Sequence, residues 1–169
     1  VSAFLLNRSS DLLVSSKPNP KKQEEQAREE PKTVKKDIPI VDLNTVDSIT
    51  LVKLPQIGGF MALRILEFRD KLGGFVNLEQ LRDVKGMDEA RLAVIQPYIN
   101  IGEAEMRKID INRTDVKTLV HHPYLNYEQV KRIFNQREKR GMIKNWAQLE
   151  ELLKEVGEVN PMLEYYVKF

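Results

Sequence analysis

From Asp42 onward, apolar residues recur at three- and four-residue intervals in short bursts, each ended by Pro, Gly, Asn or Asp. The clearest burst follows Gly59: Ala62, Ile65 and Leu66 share one face at 100° per residue, which predicts a helix running to Leu72. Asp47–Lys53 reads as a shorter helix before it, with Asp47 as cap. Leu54-Pro55-Gln56-Ile57-Gly58-Gly59 separates the two, since Pro ends a helix and Gly accepts backbone angles that other residues resist. Gly73-Gly74 stops the long helix, Asn77 with Gln80 opens a third as a capping box, and Asp88 caps a fourth ending near Tyr98. The third and fourth are parted by a second break, Val84-Lys85-Gly86-Met87-Asp88. Arg69 falls inside the apolar stripe, where a guanidinium needs acceptors. Backbone carbonyls, or Asp42 and Asn44, are the expected partners, with a phosphate as the sharper alternative.

The pattern then repeats. A shift of 68 positions aligns Asp42-Leu43-Asn44 with Asp110-Ile111-Asn112, Pro55 with Pro123, Arg64-Ile65 with Arg132-Ile133, Arg69 with Arg137, and Gln80-Leu81 with Gln148-Leu149. About fifteen of some forty positions are identical. Asp115, Asn126, Asn145 with Gln148, and Asn160 before Pro161 mark four corresponding helix starts. The last break, near Val156-Gly157-Glu158, has no clear counterpart, and the alternating runs Tyr98–Ile101 and Lys108–Ile111 read as minor strands pairing with each other. The fold class expected is all-α: a flexible charged arm over residues 1–38, then two tandem four-helix units over 39–102 and 109–169.

Leu43-Asn44-Thr45, Leu54-Pro55-Gln56-Ile57-Gly58, Phe68-Arg69, Gly74-Phe75, Leu78-Glu79-Gln80-Leu81, Val84-Lys85-Gly86 and Pro97-Tyr98-Ile99 together resemble a ComEA-type helix-hairpin-helix domain. The resemblance covers about Val41–Ile101 and, more weakly, Ile109–Phe169. It implies pairs of helix-hairpin-helix motifs and a non-catalytic domain that binds duplex DNA without regard to sequence. Such domains act in DNA uptake outside the cytoplasm, so the periplasm or cell envelope is the implied location. The hairpin backbone at Gln56, Ile57, Gly58, Gly59 and Gly86 is the implied phosphate site, because amides at a helix start favour an anion. A monovalent cation on the carbonyls of the first hairpin is also allowed by the resemblance, and no other cofactor is expected. The extrinsic helix-hairpin-helix subunit of photosystem II, which the chain also resembles, implies a second outcome: a scaffolding module that keeps the fold without the DNA.

Charge weighs against a simple DNA-binding surface. The net charge is +2; residues 42–101 carry 7 basic and 8 acidic groups, and residues 109–169 carry 10 and 9. A protein that neutralises phosphates normally shows a basic face. The candidate is Lys131, Arg132, Lys139, Arg140 and Lys144, for which an ordinary solvated helix face is the plainer reading. The hairpins also depart from the family pattern, which has glycine at both small positions. Gln56 replaces the first, Asp88 stands at the second of the next hairpin, and Tyr124 and Asn126 occupy both in the second repeat.

The rest of the composition narrows the options. Residues 7–36 are rich in Ser, Pro, Lys and Glu and read as a linker, since Glu24, Glu25, Glu29 and Glu30 cancel most of its basic charge. No stretch approaches the length of a membrane span. Val1–Leu6 is too short for the apolar core of a signal peptide, and a first residue other than Met points to a partial or processed chain. Zero cysteines exclude disulfides. His121 and His122 are adjacent, diverge on a helix and suit one metal poorly, so one is expected exposed and one half-buried. No nucleophile–base or nucleotide-loop motif is present, so neither catalytic residues nor a small-molecule substrate are expected. Phe60 and Leu63 are apolar on the face opposite the stripe, where the second repeat has Glu128 and Lys131. They are expected to be covered by another part of the chain, the second repeat first of all or else the N-terminal arm, or by a partner protein.

Overall fold

The computed structural model of the protein describes residues 38–102 and 106–169; the arm expected over 1–38 lies almost wholly outside them. Each repeat is a ring of short helices closed by a two-residue parallel strand pair. In the first, β1 (Val41–Asp42) leads into α1 (Ser48–Leu51) and α2 (Gly59–Leu72), a 3-10 turn (Leu78–Asp83), α3 (Glu89–Ile95) and β2 (Ile99–Asn100). In the second, β3 (Ile109–Asp110) leads into α4 (Val116–His121), α5 (Tyr127–Arg140), α6 (Trp146–Lys154), a 3-10 turn (Pro161–Tyr166) and β4 (Val167–Lys168). Val41 pairs with Ile99 and Ile109 with Val167, so each repeat's start lies beside its own end. The minor strands expected to pair with each other do not: each needs the opposite end of its own repeat to satisfy its backbone.

The expected helix starts form because their side chains cap them. Asp47, Asp88, Asp115, Asn126 and Asn145 each accept a first-turn amide, and Asn77 and Asn126 complete capping boxes with Gln80 and Gln129. Gly73, at φ +93°, ends α2 in the left-handed conformation. The third element of the first repeat is 3-10 rather than α, while its counterpart α6 is a longer true helix. That lengthening shifts the last hairpin along the chain, and so its glycine, Gly157, found no match at constant spacing.

Equivalent positions fill both cores: Leu43 and Ile111, Leu51 and Leu119, Ile65 and Ile133, Phe75 and Ile143, Leu81 and Leu149 are all nearly solvent-free. Each such side chain contributes about 1.5–3 kcal/mol of burial. Arg69 Nη1 donates to the carbonyls of Leu43 (3.2 Å) and Val46 (2.8 Å), and Arg137 Nη1 to that of Thr114 (2.8 Å) while lying over the Phe134 ring. Both arginines brace the opening turn through carbonyls. Asn44 performs the matching task for the other strand of chain, spanning Phe75 N and O at 2.7 and 2.9 Å, as Asn112 does for Ile143.

The repeats are joined by a buried polar cluster. Gln80 Nε2 donates to the hydroxyls of Tyr124 (3.0 Å) and Tyr166 (2.8 Å), while its Oε1 accepts from Val76 N and Asn77 N. All four of its hydrogen-bonding valences are used. Tyr166 donates to Gly74 O at 2.9 Å and Tyr124 to Asp83 Oδ2 at 3.0 Å. His122 packs against both tyrosine rings. It is 2% exposed, more deeply buried than expected, whereas His121 is exposed. The connecting segment crosses the end of α2, where Arg107 N donates to Gly73 O at 3.0 Å.

Candidate nucleic-acid interface

The hairpin Leu54–Gly59 is anchored from below. Leu54 and Ile57 are buried, and Ile57 N donates to Leu54 O at 3.2 Å, which leaves Gln56, Gly58 and Gly59 exposed at the tip. Ile57 thus offers a ligand only its backbone. Gly58 is the N-cap of α2 and has no side chain to take a first-turn amide. A Cβ added at Gly58 or Gly59 would meet nothing within 4 Å. The amides of Gly59, Phe60 and Met61 have no intrahelical acceptor, as at any helix start. Among the described residues α2 is the one α-helix without a side-chain cap. The result is a bare, open helix N-terminus of 14 residues. Gln56, where a glycine is absent, stands at φ +61°, in the left-handed region.

The other hairpins are closed. Gly86 sits at φ +90°, and a Cβ there would come within 2.9 Å of Arg64 Nη1. Its turn is held by side chains: Arg64 donates to Lys85 O at 3.1 Å and Arg91 to Gly86 O. Asp88 Oδ1 fills the amide of Arg91, putting a carboxylate where a phosphate would approach. In the second repeat Asn126 and Gln129 cap α5 reciprocally, and Tyr124 turns inward to the joint between repeats. Gln129 Nε2 also donates to Glu158 O at 2.8 Å, tying the first hairpin of that repeat to the last.

The basic cluster divides. Lys131 pairs with Glu128 at 3.7 Å and half-buried Arg132 pairs with Glu155. Lys139, Arg140 and Lys144 are exposed, at the end of α5 and just beyond it, with no carboxylate in ion-pair reach among the described residues. Arg132 was expected on the solvated face. It instead reaches the later hairpin of its own repeat, as Arg64 does in the first. The matched pair Arg64-Ile65 and Arg132-Ile133 was the available signal for this role. Phe60 and Leu63, expected to be covered, are 85% and 60% exposed. The repeats meet through residues 72–83 and the His122–Tyr124–Tyr166 cluster, so the second repeat does not cover the outer face of α2, and the N-terminal arm lies outside the described residues.

The His122 ring is held near pKa 4 by burial, against a smaller opposing influence of the Leu72 backbone. Its Nε2 has no hydrogen-bond partner. The Tyr166 hydroxyl is pushed up to about 12, and that of Tyr124 is raised further, burial being the first cause in both. The imidazole and both hydroxyls therefore stay neutral at ordinary pH.

A family profile described as a helix-hairpin-helix motif matches residues 36–100 and again residues 105–159. No curated protein matches the chain, and no solved structure does. No helix among the described residues is long and apolar enough to cross a membrane.

Proposed function

For a chain that belongs to the helix-hairpin-helix family, with two tandem copies of the motif, we propose sequence-independent binding of duplex DNA, as in ComEA-type uptake domains at the cell envelope. The protein acts as a binding module rather than an enzyme. The observation that carries this reading is the uncapped start of α2, where open glycines leave helix amides available to one phosphate. Lys139, Arg140 and Lys144 supply further phosphate contacts. Gly86 serves its turn by conformation rather than by touching DNA. A monovalent cation on the carbonyls of the first hairpin would fit the same geometry of approach.

A titration of the chain with duplex DNA across salt concentrations tests the reading. With about four phosphate contacts, log affinity falls against log salt with a slope of about −3.6. Gly58→Asp is the decisive variant. Gly58 has the extended backbone of an ordinary N-cap (φ −87°, ψ 172°), so aspartate fits there and caps α2 as Asp115 caps α4. Folding is retained while a carboxylate occupies the phosphate position, and DNA binding is expected to be lost. Binding unchanged by Gly58→Asp, or no binding at low salt, defeats the proposal.

A further inference from the structure

A groove of about 910 Å3 lies between the repeats, away from the hairpin tips. Leu63 and Leu66 of α2 form one wall, Ile109 and the segment before it the floor, and Lys117, Thr118 and His121 of α4 the other wall. Phe60, one turn before Leu63, extends the apolar strip beyond the groove, since residues three apart are neighbours on a helix. The strip belongs to the first repeat alone: the equivalent Glu128 and Lys131 form an ion pair on the second.

The rim is cationic. Lys71, Arg107, Lys108 and Lys117 border the groove against two carboxylates, Glu67 and Asp70. Both carboxylates are engaged: Glu67 accepts Lys71 at 2.7 Å, and Asp70 lies 3.6 Å from Arg69 and 4.0 Å from Arg107. Lys108 and Lys117 form no ion pair among the described residues, and four cations face two carboxylates, so the described rim carries net positive charge over an apolar bed. Duplex DNA presents phosphates and no apolar side chains, and would leave Leu63 and Phe60 uncovered. A segment with apolar anchors flanked by carboxylates satisfies both halves of the surface.

We propose that this groove docks an acidic, amphipathic segment of a partner protein, with its apolar residues on Leu63, Leu66 and Ile109 and its carboxylates on Lys108 and Lys117. The site is separate from the α2 N-terminus and does not rest on the DNA reading.

The full chain is titrated with a fluorescein-labelled helical peptide carrying Leu at i, i+3, i+4 and i+7 and Glu at the remaining positions, with amide NMR shifts mapping the site. The proposal expects saturable binding with shifts at residues 63–73 and 107–121. Leu63→Ser should weaken binding about tenfold, the loss of one buried anchor. Lys108→Glu with Lys117→Glu should weaken it at least as much, and a peptide with Lys in place of Glu should not bind. All three substituted residues are exposed or at the rim, and unchanged melting temperatures verify that the variants fold. Binding indifferent to these variants overturns the proposal. So does failure of the full chain to bind, whether the groove is idle or filled by another part of the chain. Displacement of the peptide by duplex DNA assigns the groove to nucleic acid instead, and sedimentation of the chain as a dimer lost in Leu63→Ser assigns it to a second copy. Either result overturns the proposal too.

Discussion

Two residues show how far single positions set the behaviour of the chain. Gln56 holds the left-handed conformation that glycine adopts without cost, at roughly 1–2 kcal/mol for a residue with a Cβ. Gln56→Gly removes that strain but gives the unfolded chain back about 0.4–1 kcal/mol of entropy. The expected outcome is a small net stabilisation, about 0.5 kcal/mol by urea titration, with tighter DNA binding because the backbone becomes reachable. His122 is the second case. Its folded pKa of about 4 lies below the ordinary histidine value of 6.5, so the unfolded state binds more protons between these values. The stability contribution is complete above about pH 6.5 and is lost as pH falls toward 4, amounting to about 3 kcal/mol across that window. The first repeat has buried Leu54 at the equivalent position. His122→Leu should therefore flatten the stability profile between pH 4 and 6.5, which denaturant titrations at stepped pH would measure.

At the scale of elements, helices were legible because their determinants are local. Caps at Asp47, Asn77, Asp88 and Asn126 and the Gly73 stop lie within one turn of what they fix. What could not be read depends on distant partners. The strand pairs join residues 58 positions apart, Val41 to Ile99 and Ile109 to Val167, and no adjacent residue announces them. The first hairpin was likewise visible as a candidate site from Gly58 and Gly59. The inward use of Tyr124 was not, since in sequence it is only a missing glycine. Tyr166 tests the joint that these two tyrosines build with Gln80. Tyr166→Phe keeps the ring and removes the bonds to Gly74 O and Gln80. A cost of about 1–3 kcal/mol is expected from the stranded buried partners. Differential scanning calorimetry would read it as a lowered midpoint with the fold intact.

Across the whole molecule, the buried cluster makes two small cores depend on one another. Units of this size bury too little surface to be robust alone. The described chain is expected to unfold in a single transition followed equally by Trp146 fluorescence in the second repeat and helix content overall. Gln80→Ala, which leaves Tyr124 and Tyr166 without their shared donor, should separate the two probes. The position of Tyr124 also bears on the history of the duplication. It is the counterpart of Gln56, the tip of the exposed hairpin, yet it is nearly buried and bonded across to Gln80 and Asp83. One copy has kept its tip for the outside, while the other has turned the same position into mortar. The change works like a ratchet: a glycine placed at 124 would open the second hairpin only by loosening the first copy from it, so any demand for stability guards the division of labour.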